Sequence, residues 1–294
     1  MEFRPFDKMK TASNLWTPKE VGGLWCVTEK IHGANMQCIV GPEDSVRWGK
    51  RTSELEPTDN FFGFRTAVAV QHEEKAITLL RLTREYHSAR GLGEVSGLAV
   101  CGELCGGEYP HPEVDAAPGV MPIQTGVWYS PNLHFVAFDL EVELADGKRD
   151  FMEYAAARQL LEEAEFMVLP PLLIGNFEEV CNSDHNFTTT FPALIGLPPL
   201  ANDNNKAEGI VIKPLVCKRD AGEERIFMKR KIEEFSEKKC DAVTTWQRRQ
   251  DDTSRSQEAE QEERQVEALL YETLACVTPQ RLDAVISKYG RLQW

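Results

Sequence analysis

Short apolar segments separated by turn-forming residues occupy the first two-thirds of the chain, and this spacing is what most constrains the fold. Each segment has the length of a strand, and turn residues separate it from the next. The predicted strands are Leu24–Thr28, Met36–Val40, Leu98–Cys101, His134–Val142 and Gly209–Lys213. Apolar residues at helical spacing predict two helices, Ala67–Arg90 and Tyr154–Phe166. Together these segments predict an α+β fold of antiparallel sheets with flanking helices.

The composition changes after Lys239. Gln247–Gln265 is almost wholly polar and charged, which is typical of a linker that runs into an exposed helix. Apolar residues then recur at helical spacing from Val266 to Val277, and Thr278-Pro279 has the pattern that begins a second helix, Gln280–Lys288. We therefore expect a main domain over residues 1–240, then a charged linker and a small α-helical C-terminal module over residues 241–294.

The chain has no run of 18 apolar residues and no signal-peptide pattern at its start. Its 8 cysteines are scattered without a CxxC pair, and the spacing of Cys101, Cys105 and His111 matches no common zinc site. These features predict an intracellular protein with reduced thiols and no membrane segment. The net charge of −14 argues against binding nucleic acid by bulk electrostatics, so phosphate chemistry would need a local group of cations.

One lysine stands where such chemistry could begin. Lys30 follows an apolar strand in the sequence TEKIHGAN, and Gly33 leaves room for a phosphate near its amine. A Lys-x-x-Gly pattern alone proves little, because a chain of this length contains about one by chance.

Further polar residues stand at the ends or on one face of predicted strands. Glu208 and Lys213 lie at opposite ends of one strand, and Lys229 and Lys231 alternate so that both point to one face. The others are Arg51 after Val46–Trp48, Glu103 after an apolar strand, and Phe138 with Asp139 inside FVAFDL. A nucleophilic lysine, a carboxylate for a metal ion and paired cations are the groups that nucleotidyl transfer needs.

Six motifs, in a fixed order from Glu29 to Lys238, carry a specific resemblance: EKIHGAN, GKR, GELCGGEYPHP, VWYSPNLHFVAFDL, EGIVIKP and FMKRKIEEFSEK. They resemble the phage T4 RNA ligase 2 and trypanosome RNA-editing ligase family of covalent nucleotidyltransferases. The segment Gly106–His134 is similar to the editing-ligase subgroup, and VTPQRLDAVISKYG resembles the start of the family's helical C-terminal domain. His32 favours the RNA ligases, since DNA ligases and capping enzymes usually carry aspartate there.

The resemblance implies an adenylation domain that binds ATP and Mg²⁺, with Mn²⁺ as an alternative ion. Lys30 would carry AMP, and Glu208 with Asn35 would hold the metal ion, whose preferred ligands are oxygens. His32 would act in the later RNA steps. The other nucleotide-binding residues would be Glu29 in contact with adenine, Ile31 beside Lys30, Phe138 stacked on adenine, Glu103 on the ribose, and Arg51, Lys213, Lys229 and Lys231 on the phosphates.

The attacking amine of Lys30 must be neutral, although free lysine titrates near about 10.4. We expect burial, Lys229, Lys231 and the metal ion to lower its pKa. The implied reaction joins RNA 3′-OH and 5′-phosphate ends in a nicked duplex through lysyl-AMP and adenylated RNA, with a protein partner aiding RNA binding. The alternatives are a catalytically silent adenylate-binding scaffold, a nicked-DNA ligase and a capping enzyme.

Overall fold

The computed structural model describes residues 1–7, 9, 22–201 and 205–235. The chain divides into a compact unit over Met1–Ile232 and a second unit that begins at Glu233. Of the second unit, only the 3₁₀ turn Glu233–Phe235 is described. The predicted boundary near residue 240, the charged linker and the C-terminal helices lie outside the described residues and stay predictions.

The secondary structure of the described part alternates short strands with a few helices. The strands are β1 Trp25–Glu29, β2 Ala34–Val40, β3 Val46–Lys50, β4 Val95–Glu108, β5 Ser130–Leu144, β6 Arg149–Phe151, β7 Met167–Val168, β8 Leu173–Gly175, β9 Gly209–Pro214 and β10 Met228–Lys231. The α-helices are α1 Val70–Arg90, α2 Tyr154–Glu163, α3 Phe177–Cys181 and α4 Phe191–Leu194.

The strands form two sheets. One has four strands in the order β10-β9-β1-β8, and the other has six, in the order β3-β2-β4-β5-β6 with β7 beside β5. The strands of every pair run antiparallel, apart from the parallel pair β5 and β7. This arrangement confirms the predicted α+β class with antiparallel sheets.

Each sheet buries one face in its own hydrophobic core. Alternate residues of β2, such as Met36 and Cys38, pack against Leu79 and Leu80 of α1 in the larger core. The four-stranded sheet packs Trp25, Val27, Ile210, Ile212 and Met228 into a second core that also contains Val180 of α3. Since strand side chains alternate between faces, the remaining face of this sheet is available for polar residues.

Several element boundaries differ from those predicted. The first helix starts as a π-helical turn, Arg65–Ala69, before α1, and apolar spacing alone does not distinguish the two helix types. Helix α2 stops at Glu163 instead of Phe166, and Glu165 has a φ of 61°, a left-handed conformation that ends helices. Strands β4 and β5 extend well beyond their predicted limits, because they pair with each other through polar and glycine-rich residues.

Candidate active site

A pocket between the two sheets contains many of the residues that the sequence singled out. The four-stranded sheet contributes Thr28 and Val211, and the six-stranded sheet contributes Val136. The predicted site residues that line it are Glu29, Lys30, Ile31, Asn35, Glu103, Phe138 and Lys213. It contains about 730 Å³ of space, part of it open to solvent. We call it the Lys30 pocket.

Strand alternation brings the lysines of β10 to the pocket side of their sheet. Val211 pairs with Thr28 of β1 on one side and with Lys229 of β10 on the other. Residues in one such row point to the same face, so Lys229 lies on the face that Thr28 and Val211 present to the pocket. Lys231, two residues further, lies on that face as well, as the alternation in the sequence predicted.

The centre of the site is the buried carboxylate of Glu208, which is 2% exposed. Its Oε2 atom accepts a hydrogen bond from Lys30 Nζ at 2.6 Å and lies 3.4 Å from His32 Nδ1. Its Oε1 atom lies 2.9 Å from Lys231 Nζ. The structure therefore brings three predicted residues, Lys30, His32 and Lys231, around the carboxylate of a fourth, Glu208.

This pairing changes the expected titration of Lys30. Burial lowers the pKa of Lys30, but attraction to Glu208 and Glu103 outweighs burial, so the pKa lies above the usual value for lysine. Burial also acts to raise the pKa of Glu208, yet the hydrogen bond from His32 and the charge of Lys30 hold it well below its usual range. The expected lowering of the Lys30 pKa is therefore wrong for this arrangement, because the nearest charges are carboxylates.

Gly33 allows the turn after Lys30 to pack against β4. A Cβ atom at this position would lie 2.1 Å from the carbonyl oxygen of Leu104, a distance that no side chain tolerates. The reason for glycine in Lys-x-x-Gly is thus close backbone packing. The same contact lets the Gly33 amide hydrogen-bond to Glu103.

Asn35 and Glu103 lie side by side, because they are register partners on β2 and β4. Glu103 sits within β4, not after a strand as the sequence suggested. Burial raises its pKa to about 7, against the lowering effect of Lys30. The Oδ1 atom of Asn35 is buried and has no hydrogen-bond partner within the described residues. An unpaired buried oxygen at a pocket wall fits a site for a cation or a donor group.

Phe138 reaches the pocket from an irregularity in β5. Cys101 pairs with Asp139 and the next residue, Gly102, pairs with Ala137, so Phe138 is the extra residue of a β-bulge. Its ring packs edge-on against Phe6, with the centroids 5.4 Å apart. Phe6, from the N-terminal segment, also lines the pocket and was not predicted.

Glu29 is buried beside Lys30, and hydrogen bonds from another segment hold its carboxylate. The amide and the hydroxyl of Thr190 donate to Oε2 at 2.7 and 2.6 Å, and the Thr189 hydroxyl donates to Oε1. Burial raises the pKa of Glu29. The contact of Glu29 with adenine, which the resemblance implied, stays a prediction, since its carboxylate already has these partners.

Lys213 and Arg51 occupy different surroundings. Lys213 Nζ donates to Asp139 Oδ1 at 2.7 Å and to the carbonyl oxygen of Phe138 at 2.6 Å. These two hydrogen bonds stabilise the β-bulge at Phe138. Arg51 is exposed, and its charge lowers the pKa of Lys30 and of Glu103. The predicted phosphate contacts of both residues stay predictions.

The described part of the chain contains neither a side-chain cluster for a metal ion nor a membrane-spanning helix. No group of three or more His, Cys, Asp or Glu side chains able to hold a metal ion occurs there. Cys101 and Cys105 are buried within β4 and free. Within the same residues, no helix has both the length and the apolar character to cross a bilayer.

Comparison with known proteins identifies the family. The family model described as RNA ligase matches residues 23–231, which is most of the chain. The chain belongs to the RNA ligase family. Mitochondrial RNA-editing ligase 2 of Trypanosoma brucei brucei is 30% identical over 205 residues, which cover 64% of this chain and 48% of that protein. RNA-editing ligase 1 of the same organism is 29% identical over 211 residues, or 64% and 44% of the two chains. The chain spans about half the length of these curated relatives.

Solved structures of a Naegleria gruberi RNA ligase are also similar. A mutant of that ligase with ATP and Mn has a TM-score of 0.49 at 16% identity, with 79% of this chain and 57% of that chain covered. The same ligase with PPi has a TM-score of 0.47 at 16% identity, with 81% and 58% covered.

Proposed function

We propose that this RNA ligase uses ATP and a divalent metal ion to adenylate Lys30 and then seals RNA 3′-OH and 5′-phosphate ends. The observation that supports this most is the Lys30 amine, held 2.6 Å from the buried Glu208 carboxylate in a pocket that also presents Phe138 and Glu103. A lysine nucleophile, an aromatic ring and a carboxylate within one pocket suit a nucleotide bound with its α-phosphate near the amine.

The residues around Lys30 fit a hard cation. The carboxylate of Glu208 and the unpaired Oδ1 of Asn35 are oxygen donors, which Mg²⁺ prefers, and Mn²⁺ accepts the same ligands. A divalent ion bound there supplies positive charge that competes with the Lys30 ammonium for Glu208 and lowers the pKa of the amine. Glu208, Asn35 and Lys30 would then share one site.

In the first step, the neutral Lys30 amine attacks the α-phosphorus of ATP. A phosphorus–nitrogen bond forms, the bond to pyrophosphate breaks, and the amine loses a proton. Lys229 and Lys231, on the pocket side of β10, would neutralise charge that develops on the phosphates. Phe138 would stack on adenine, while Glu103 would accept hydrogen bonds from the ribose hydroxyls.

In the second step, AMP moves to the RNA 5′-phosphate, and in the third the RNA 3′-OH displaces it. Both are in-line displacements, in which positioning and charge neutralisation supply most of the rate. His32, whose Nδ1 atom lies 3.4 Å from Glu208 Oε2, would act in these steps. We further propose a nicked duplex as the substrate and a protein partner that aids RNA binding. An intracellular location rests on the scattered cysteines, among which the buried Cys26, Cys38, Cys101 and Cys105 are free thiols.

The test is covalent labelling of the full chain with ATP labelled at its α-phosphate, in the presence of Mg²⁺. Wild type should take up label, and Lys30→Ala should fall to background because no amine remains to form the bond. Lys75→Ala is the matched control, since Lys75 lies on α1 outside the Lys30 pocket and donates a hydrogen bond to the carbonyl oxygen of Glu165. It should be labelled like wild type.

Three outcomes would contradict the proposal. A wild-type chain that takes no label would favour an adenylate-binding scaffold. Label from GTP but not ATP would favour a capping enzyme. A nicked duplex that is sealed equally well with DNA or RNA on the 3′-OH side would remove the RNA specificity.

A further inference from the structure

The turn that follows Lys30 is fixed by a tyrosine from a distant part of the chain. The amide of His32 donates a hydrogen bond to the hydroxyl of Tyr129 at 2.7 Å, across 97 residues of sequence. Tyr129 is 1% exposed, and its ring packs edge-on against Phe191 with the centroids 5.6 Å apart. The hydroxyl is therefore held at one place, directly behind the turn that carries Lys30 and His32.

A second contact fixes the main chain at Tyr129. The side chain of Asn205, 3% exposed, accepts from the amide of Trp128 at 2.9 Å and donates to the carbonyl oxygen of Trp128 at 2.6 Å. These two hydrogen bonds fix the main chain of Trp128 and so restrict the position of Tyr129, the next residue. The carbonyl oxygen of Asn205 also accepts from the amide of Thr189, whose hydroxyl binds Glu29. Asn205 thus connects the two segments that support the residues on either side of Lys30.

We propose that Tyr129 is a positioning residue for adenylation, and that Asn205 acts through it. This inference rests on the proposed function. Tyr129 does not line the Lys30 pocket, so it acts through the His32 amide and not by touching the nucleotide. Without the hydroxyl, the His32 amide loses its acceptor and the turn shifts, which moves the Lys30 amine relative to the α-phosphate. The binding of ATP depends on other walls of the pocket and is unaffected.

The variant Tyr129→Phe removes the hydroxyl and keeps the ring. Single-turnover labelling at saturating ATP should slow by roughly tenfold, since displacements of about 1 Å in a reactive pair cost up to 10²-fold. The ATP concentration at half-maximal rate should stay near that of wild type. A residue with a purely structural role would not separate these two quantities.

Tyr109→Phe is the matched control, because Tyr109 is also buried and its hydroxyl donates to the carbonyl oxygen of Pro198 at 2.5 Å. Both variants should lose a similar amount of thermal stability, and only Tyr129→Phe should lose adenylation rate. Asn205→Asp keeps the acceptor for the Trp128 amide but places an oxygen against the Trp128 carbonyl. It should slow labelling in the same way, and this second variant decides the question if Tyr129→Phe does not fold.

An unchanged labelling rate in Tyr129→Phe, or an equal loss of rate in Tyr109→Phe, would overturn the inference. If Tyr129→Phe does not fold, an unchanged rate in Asn205→Asp would overturn it instead. A wild-type chain without any label would instead overturn the proposed function, so the two failures are distinct.

Discussion

At the scale of single residues, the floor of the Lys30 pocket depends on one buried charge. Asp139 is 6% exposed, and it accepts from Lys213 at 2.7 Å and from Arg225 Nη1 at 2.8 Å. The Arg225 guanidinium lies over the ring of Phe151, 3.8 Å from its centroid. Burial acts to raise the pKa of Asp139, but the charges of Arg225 and Lys213 prevail and lower it to about 2.

Replacing this carboxylate should destabilise the fold at neutral pH. Asp139→Asn leaves two buried cations without a counter-charge, which typically costs ~3–5 kcal/mol in the free energy of unfolding. Urea unfolding of both chains at pH 7 measures the difference. Arg81→Ala is the control, because its partner Glu85 is 62% exposed, and an exposed pair contributes only about 0–1 kcal/mol.

The pH dependence of this difference follows from the shifted pKa. The unfolded chain binds the proton near the usual value of about 3.9, whereas the folded chain binds it only near about 2. The stabilisation from Asp139 is therefore complete above the unfolded value and is lost as pH falls through the folded value. The difference in the free energy of unfolding between wild type and Asp139→Asn should become smaller below about pH 4. A gap that stays constant down to pH 2 would contradict this assignment.

At the scale of elements, the sequence predicts correctly where a side chain points when local strand alternation decides it. The FMKRK pattern correctly placed Lys229 and Lys231 on one face of a strand. Strand β9 follows Glu208 and contains Lys213, as predicted. The bulge at Phe138 was not predictable, because it depends on how β5 pairs with β4 and not on either strand alone.

Contacts between distant segments were the other part that the sequence could not provide. Lys30 meets Glu208 across 178 residues, and Glu29 meets Thr190 across 161. The motif resemblance supplied Lys30 and Glu208 as site residues without their pairing. Thr190, Tyr129 and Asn205 are outside the residues predicted for the site, since a buried hydroxyl or amide has no local pattern that distinguishes it from a core residue.

The register of β10 predicts which of its three cations contribute to adenylation of Lys30. Lys229→Ala and Lys231→Ala should each slow labelling of Lys30 by roughly 10²–10³-fold, the usual cost of removing one group that stabilises a transition state. Arg230→Ala should remain near wild type, because Arg230 pairs with Ile210 on the other face and donates to the carbonyl oxygen of Cys181. The rate of label uptake at saturating ATP measures all three.

The three β10 variants serve as controls for one another, because the three residues are consecutive and all carry a positive charge. A general electrostatic effect would reduce labelling similarly in all three variants. Equal losses in Arg230→Ala and Lys229→Ala would therefore contradict the assignment of faces.

At the scale of the whole molecule, most of the charge near the site is already compensated. The chain carries a net charge of −14. Within the described residues, Glu208 pairs with Lys30 and Lys231, and Asp139 pairs with Lys213. The pocket therefore gathers cations without creating a large positive surface. When phosphates enter the pocket, its cations exchange carboxylate partners for phosphate oxygens. The site therefore acts by positioning phosphates locally and not by attracting nucleic acid over a long range.

RNA binding by the isolated chain should accordingly be weak and sensitive to salt. We expect single-stranded RNA to bind in the range of about 10⁻⁴–10⁻⁶ M, as for non-specific association, and to weaken further as salt rises. A nicked duplex should bind more tightly, because its geometry presents both ends to one site. Fluorescence anisotropy at several salt concentrations, with Lys30→Ala to prevent turnover, measures both. Tight binding of single strands that does not change with salt would contradict the view that the site acts by local placement.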